Sequence, residues 1–181
     1  MFNKIVKTLR EIIQEKLKVD SKTKINQYEY HPKDKKELND IIKQLIKERG
    51  NKADLNDIDT SEIDDMSYLF NLTKFNGDIS KWDVSKVKNM KFMFANSKFN
   101  GNISEWDVSN VTDMDHMFSY SHFNKDISNW NISKVKYMIW MFFDSKFNKD
   151  ISKWNVKNNV KTFGMFDDSP LEKNPPKWYK K

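Results

Sequence analysis

The chain has 181 residues, no cysteine and a net charge of +6, so disulfides, thiolate metal sites and thiol nucleophiles are excluded. The charge sits at the front: residues 1–50 carry 13 Lys+Arg against 8 Asp+Glu, giving +5, and residues 51–181 hold only +1. With arginine only at Arg10 and Arg49, the chain is a poor match to nucleic acid.

Residues 2–17 place Ile5, Leu9, Ile12 and Ile13 at helical spacing, which predicts an amphipathic helix. The start of the chain has no apolar run longer than two residues, too short for a signal-peptide core. No stretch nears the roughly 20 apolar residues that span a bilayer. Tyr28 and Tyr30 alternate with polar residues and suit a short strand before Pro32. The next helix is marked at both ends. Asp34 and Glu37 form an Asp-x-x-Glu capping box, and Gly50 suits a left-handed C-cap. Between them Leu38, Ile41, Ile42, Leu45 and Ile46 make one apolar stripe.

From Phe75 to Phe166 the chain repeats every 24 residues. Phe75, Phe99, Phe123 and Phe147 keep that step, as do Ile79, Ile103, Ile127 and Ile151, and also Phe94, Phe118, Phe142 and Phe166. So short a unit cannot bury its own apolar side chains, so its copies must stack. A degenerate copy comes first, with Leu55, Ile58, Ile63, Met66 and Phe70 one period before Ile79, Trp82, Val87, Met90 and Phe94. The last full copy gains a residue before Val160 and loses one before Met165. Within a copy, Val87, Met90, Met93 and Phe94 have helical spacing. The surroundings of Ile79 suit a very short strand, paired in parallel with its neighbours.

The expected fold is therefore an α/β repeat solenoid. It would be a leucine-rich-repeat-like, right-handed stack of short parallel strands and short helices over residues 51–166. Residues 1–50 would form an N-terminal helical cap and residues 167–181 a C-terminal capping tail. In that tail Pro175 and Pro176 stand where earlier copies have Ile-Ser, and proline cannot donate to a ladder.

The consensus x-Phe-Asn-x-Asp-Ile-Ser-x-Trp-Asp-Val-Ser-x-Val-x-x-Met-x-x-Met-Phe resembles the BspA-like leucine-rich-repeat surface proteins. Within that group it is most similar to the mycoplasma-type repeat domain of unknown function. The likeness covers about residues 51–166, and Tyr30-His31-Pro32 with its following helix looks like a leader found beside such repeats. The resemblance implies an open or gently curved stack, often on bacterial surfaces, associated with adhesion to host proteins and antigenic variation. It leads us to expect a non-enzymatic protein-binding module, either a surface adhesin or an antigen. An intracellular repeat scaffold is the alternative. Location divides the same way: cytoplasmic by lack of a signal peptide, cell surface by resemblance.

For protein contact the candidates are Asp78, Asn102, Asp126 and Asp150, whose parity opposes the buried Ile79 row and turns them to solvent. Trp82, Trp106, Trp130 and Trp154 read as a packing ladder. Asn76, Asn100, Asn124 and Asn148 read as an amide ladder that satisfies backbone groups. No phosphate loop, nucleophile elbow or His-carboxylate pairing appears, so no catalytic residue and no enzyme are expected. His31, His116 and His122 lack zinc spacing, and the Asp/Asn columns lack the glycines of calcium-binding repeats, so no metal or cofactor is expected. The expected partner is a protein, met by a monomer.

Overall fold

A computed structural model describes residues 28–180; the helix expected at 2–17 lies outside them. Helix α1 (Lys35–Arg49) forms where the capping signals place it. The Asp34 carboxylate accepts the Glu37 N–H at 2.9 Å, and Glu37 Oε2 accepts the Lys33 N–H at 2.9 Å. Gly50, at φ 83°, donates its N–H to the Ile46 carbonyl. Leu38, Ile42 and Leu45 are buried in the same core as the repeats, and Ile41 and Ile46 pack partly buried against it. Tyr30 makes a one-residue parallel bridge with Ile58, not a strand.

The α/β architecture expected for the repeats does not form. Among the described residues α1 is the only α-helix, and a single 3-10 turn sits at Pro170–Glu172. They contain no strand and no sheet, only isolated parallel bridges. The copies nevertheless lie one upon another, with bridges from Asp65 to Asn89, Asp113, Tyr137 and Lys161 in turn. Each copy is a run of reverse turns. The leucine-rich-repeat-like stack of strands and helices is thereby corrected to a stack of turn-built coils.

The destinations of the backbone N–H groups explain why. Met90, Phe92, Phe94 and Asn96 donate to the carbonyls of Asp113, Asp115, Met117 and Ser119 in the next coil, at 2.8–2.9 Å. Residues between them close turns within their own coil: Met93 N–H reaches Met90 O at 3.1 Å, and Ala95 N–H reaches Phe92 O at 3.2 Å. An α-helix would send its N–H groups four residues back and leave few to join the next copy. The alternation needs positive φ at the third residue of a turn, as in type II turns. Phe92 (φ 55°) and Asn96 (φ 54°) adopt it, as do Tyr68 and Leu72, His116 and Tyr120, and Trp140 and Asp144. Left-handed backbone costs a non-glycine residue about 1 kcal/mol, which one net hydrogen bond of about 1 kcal/mol offsets. Tandem turns also reverse the chain every three or four residues. They bury Val87, Met90, Met93 and Phe94 at spacings that a helix would share.

The short strand at Ile79 fails for a different reason. Asp54 and Asp78 do form a bridge, but later copies are joined there by side chains. Asn76 Oδ1 accepts the Asn100 N–H, Asn100 Oδ1 the Asn124 N–H, and Asn124 Oδ1 the Asn148 N–H, each at 2.9 Å. Trp106, Trp130 and Trp154 donate Nε1–H to the carbonyls of Ile79, Ile103 and Ile127 at 3.1–3.2 Å. At this corner of the later coils these side chains stand in place of a main-chain ladder.

The core runs the length of the stack as aromatic files. Phe70, Phe94, Phe118, Phe142 and Phe166 stack with centroids 5.5–5.9 Å apart and planes within 4° of parallel. Phe75, Phe99, Phe123 and Phe147 form a second file at 6.2–6.3 Å. The tail extends the tryptophan file: Trp178 stacks on Trp154 at 6.2 Å and donates to the Ile151 carbonyl at 2.9 Å. Tyr179 meets Phe166 edge-on at 4.9 Å.

Candidate functional site

Asp78, Asn102, Asp126 and Asp150 are exposed, and each has a local task. Their side-chain oxygens accept the N–H of Ser80, Ser104, Ser128 and Ser152, two residues on, at 2.8–3.1 Å. These Asx turns bend the chain at one corner of every coil. Asp83, Asp107 and Asn131 do the same for Ser85, Ser109 and Ser133 at a second corner. Partial burial would raise the Asp78 carboxyl, but the hydrogen bonds from Ser80 outweigh it and hold the group below the ordinary range. Trp82, Trp106, Trp130 and Trp154 are buried with their N–H groups bonded to main-chain carbonyls. Neither the tryptophan nor the asparagine ladder presents a free recognition surface.

A different surface has the character of a binding site. The left-handed residues lift their side chains out of the coil, and in four successive copies the first is Tyr68, Phe92, His116 or Trp140. Tyr68 stacks on Phe92 at 4.9 Å and Phe92 on His116 at 4.2 Å. Trp140 then turns edge-on to His116, at 5.0 Å and 77°. The fifth position is Gly164 (φ 61°), where a Cβ would collide with the Trp140 indole. The missing side chain lets that indole lie down, and the parallel file opens into a cleft. The cleft has a volume of about 270 Å³ and is lined by Phe92, His116, Tyr120, Trp140 and Phe143, with Asn96 among its polar groups. Tyr120 is 49% and Trp140 38% exposed, so both rings are open to a ligand. Burial, and then the Lys91 ammonium, push the His116 imidazole below the ordinary histidine range, against the pull of Asp113. The imidazole is accordingly a neutral ring at pH 7.

Charge is distributed unevenly around this row. Lys35 Nζ lies 5.9 Å from the Tyr68 ring centroid and Lys91 Nζ 5.8 Å from that of Phe92. Lys35 also pairs with Asp65 at 3.2 Å and donates to the Ser67 hydroxyl, while Lys91 lies 3.9 Å from Asp115. Burial raises the Asp115 carboxyl, although the Ile139 N–H donates to it. One coil after Tyr120 the corresponding left-handed position is Asp144, whose N–H donates to the Asp167 carbonyl. Among the described residues, no group of three His, Cys, Asp or Glu is placed to hold a metal ion, and no helix is long and apolar enough to cross a membrane.

The aromatic row was legible as a column two residues before each core phenylalanine, in Tyr-Leu-Phe, Phe-Met-Phe, His-Met-Phe and Trp-Met-Phe. Its direction was not, because a helix and a tandem turn aim that residue differently.

Comparison with known families gives a match. A family model described as a Mycoplasma protein of unknown function, DUF285, matches residues 36–122 and again 119–179. No curated protein and no solved structure matches the chain.

Proposed function

We propose a partner-binding role for this chain, which belongs to the Mycoplasma protein family of unknown function DUF285. It acts as a non-enzymatic module that docks a protein on the cleft formed by Phe92, His116, Tyr120, Trp140 and Phe143. The supporting observation is the cleft itself: exposed Trp and Tyr around a concavity are the residue types that dominate binding energy at interfaces. The Asx row is less suited, because one oxygen of each side chain is already committed to a turn. The likeness of the repeats to BspA-like surface proteins supports display as an adhesin or antigen. An intracellular scaffold built on the same coils is the alternative, and protease shaving of intact cells separates the two.

A photo-crosslinking amino acid placed at Asn96 identifies the partner, and its affinity is then measured on purified proteins. Trp140→Ala should weaken binding by more than about 30-fold, as loss of a central aromatic anchor does. Asn102→Ala should change it less than about twofold. The opposite ranking would move the interface to the Asx row and defeat the proposal.

A further inference from the structure

The aromatic row already carries two ammonium–ring contacts within the chain. Lys35 lays its ammonium over Tyr68 and Lys91 over Phe92. Among the described residues, no lysine or arginine is so placed over Tyr120, Trp140 or Phe143, where the row widens into the cleft. Asp144, Asp167 and Asp168 follow in the next two coils at and beside the left-handed positions, without an ion-pair partner among the described residues. The N-terminal part of the row thus pairs each ring with a cation and each cation with a carboxylate. Its C-terminal part has rings and carboxylates, and among the described residues no cation lies over Tyr120, Trp140 or Phe143.

We propose that the cleft takes the side chain of a lysine from a partner polypeptide, its ammonium over Trp140 and Tyr120 and on the side of Asp144. This rests on the docking reading above and names the chemistry that the partner must present. Ring faces carry negative potential and attract an ammonium within about 6 Å, most strongly at tryptophan. A lysine stem is apolar enough to lie along Phe143 and Phe92 while its head stays hydrated at the acidic edge. The neutral His116 adds a ring without adding repulsion.

The test uses the full chain labelled with 15N and follows indole N–H resonances. N-acetyl-lysine methylamide and its uncharged counterpart, N-acetyl-norleucine methylamide, are titrated at constant ionic strength. The Trp140 signal is identified by its loss in Trp140→Leu. The indoles bonded to Ile79, Ile103 and Ile127 act as internal references. The lysine compound should shift the Trp140 signal saturably, with at least about fivefold tighter binding than the norleucine compound. Asp144→Asn should weaken it by about twofold, and Tyr120→Leu, which removes the second ring of the cleft, should weaken it as well. Equal shifts from both compounds, or none from either, would overturn the lysine assignment. So would binding of phosphatidylcholine vesicles in preference to the lysine compound, which would assign the cleft to a lipid headgroup. If the lysine compound fails while Trp140→Ala still weakens the purified partner, the docking reading stands and the lysine inference alone falls.

Discussion

Phe92 and Phe94 are two residues apart, and in four coils both columns hold rings, yet one column faces solvent and the other is sealed in the core. Phe94, Phe118 and Phe142 are fully buried, whereas Phe92, His116 and Trp140 lie partly or openly exposed. Residue type does not separate them, since phenylalanine occurs in both. Backbone conformation does. A positive φ at the outer column turns that side chain away from the core, while the N–H groups of both columns reach the next coil. The same aromatic chemistry therefore serves cohesion in one file and recognition in the other, and substitutions should divide accordingly.

The largest contrast is between the two files. Phe118→Ala should open a cavity in the centre of the stack and cost about 3–5 kcal/mol. Phe92→Ala removes a ring with one side open and should cost about 1 kcal/mol or less. Urea denaturation of the two variants measures both, and similar costs would mean that the outer file is structural. Gly164→Ala comes next. It meets both the indole of Trp140 and a positive φ, so a loss of about 2 kcal/mol is expected. The indole must also move, so the tryptophan signal of the cleft should change with it. A variant as stable as the parent, with that signal unmoved, would show that the glycine does not shape the cleft.

The side-chain ladder offers a smaller effect. Asn100→Leu strands the Asn124 N–H and should cost about 1–2 kcal/mol. Asn100→Asp keeps an acceptor in place and should lose less than half as much. Equal melting temperatures for the two variants would remove the ladder from the list of stabilising contacts. The smallest effect concerns pH. Hydrogen bonds from the side chain and backbone of Ser109 hold the Asp107 carboxyl below the ordinary range. Its stabilisation is complete above the unfolded pKa, near 4, and disappears as pH falls through the lower folded value. Asp107→Asn keeps the turn acceptor, as Asn131 does one coil on, and should flatten the acid limb of stability slightly. An unchanged limb in denaturation between about pH 2 and 6 would exclude this carboxylate as a contributor.

The sequence pattern located α1 well because its caps are local. Asp34, Glu37 and Gly50 act within one turn of their own position. The repeat register was equally plain, since the Phe, Trp and Asn columns recur at 24 residues. The conformation inside each repeat was misread at Val87, Met90, Met93 and Phe94. Those residues are inward in either a helix or tandem turns, so their spacing carries no information on which one forms. At Ile79 the misreading had another source. Asn and Trp side chains occupy the bonds that a strand would have made.

By itself the amino-acid sequence determined that identical copies must stack and which columns lie inside, because burial of a 24-residue unit requires a neighbour with the same pattern. It also marked α1, whose signals are contained within its own length. Only the tertiary structure decided that the coils are made of turns and that Tyr68, Phe92, His116 and Trp140 stand outside them. Each left-handed residue is unfavourable in isolation. From Tyr68 to Asp144 it becomes favourable because the coil beside it offers a carbonyl to its N–H, and that neighbour is 23 residues away in the chain.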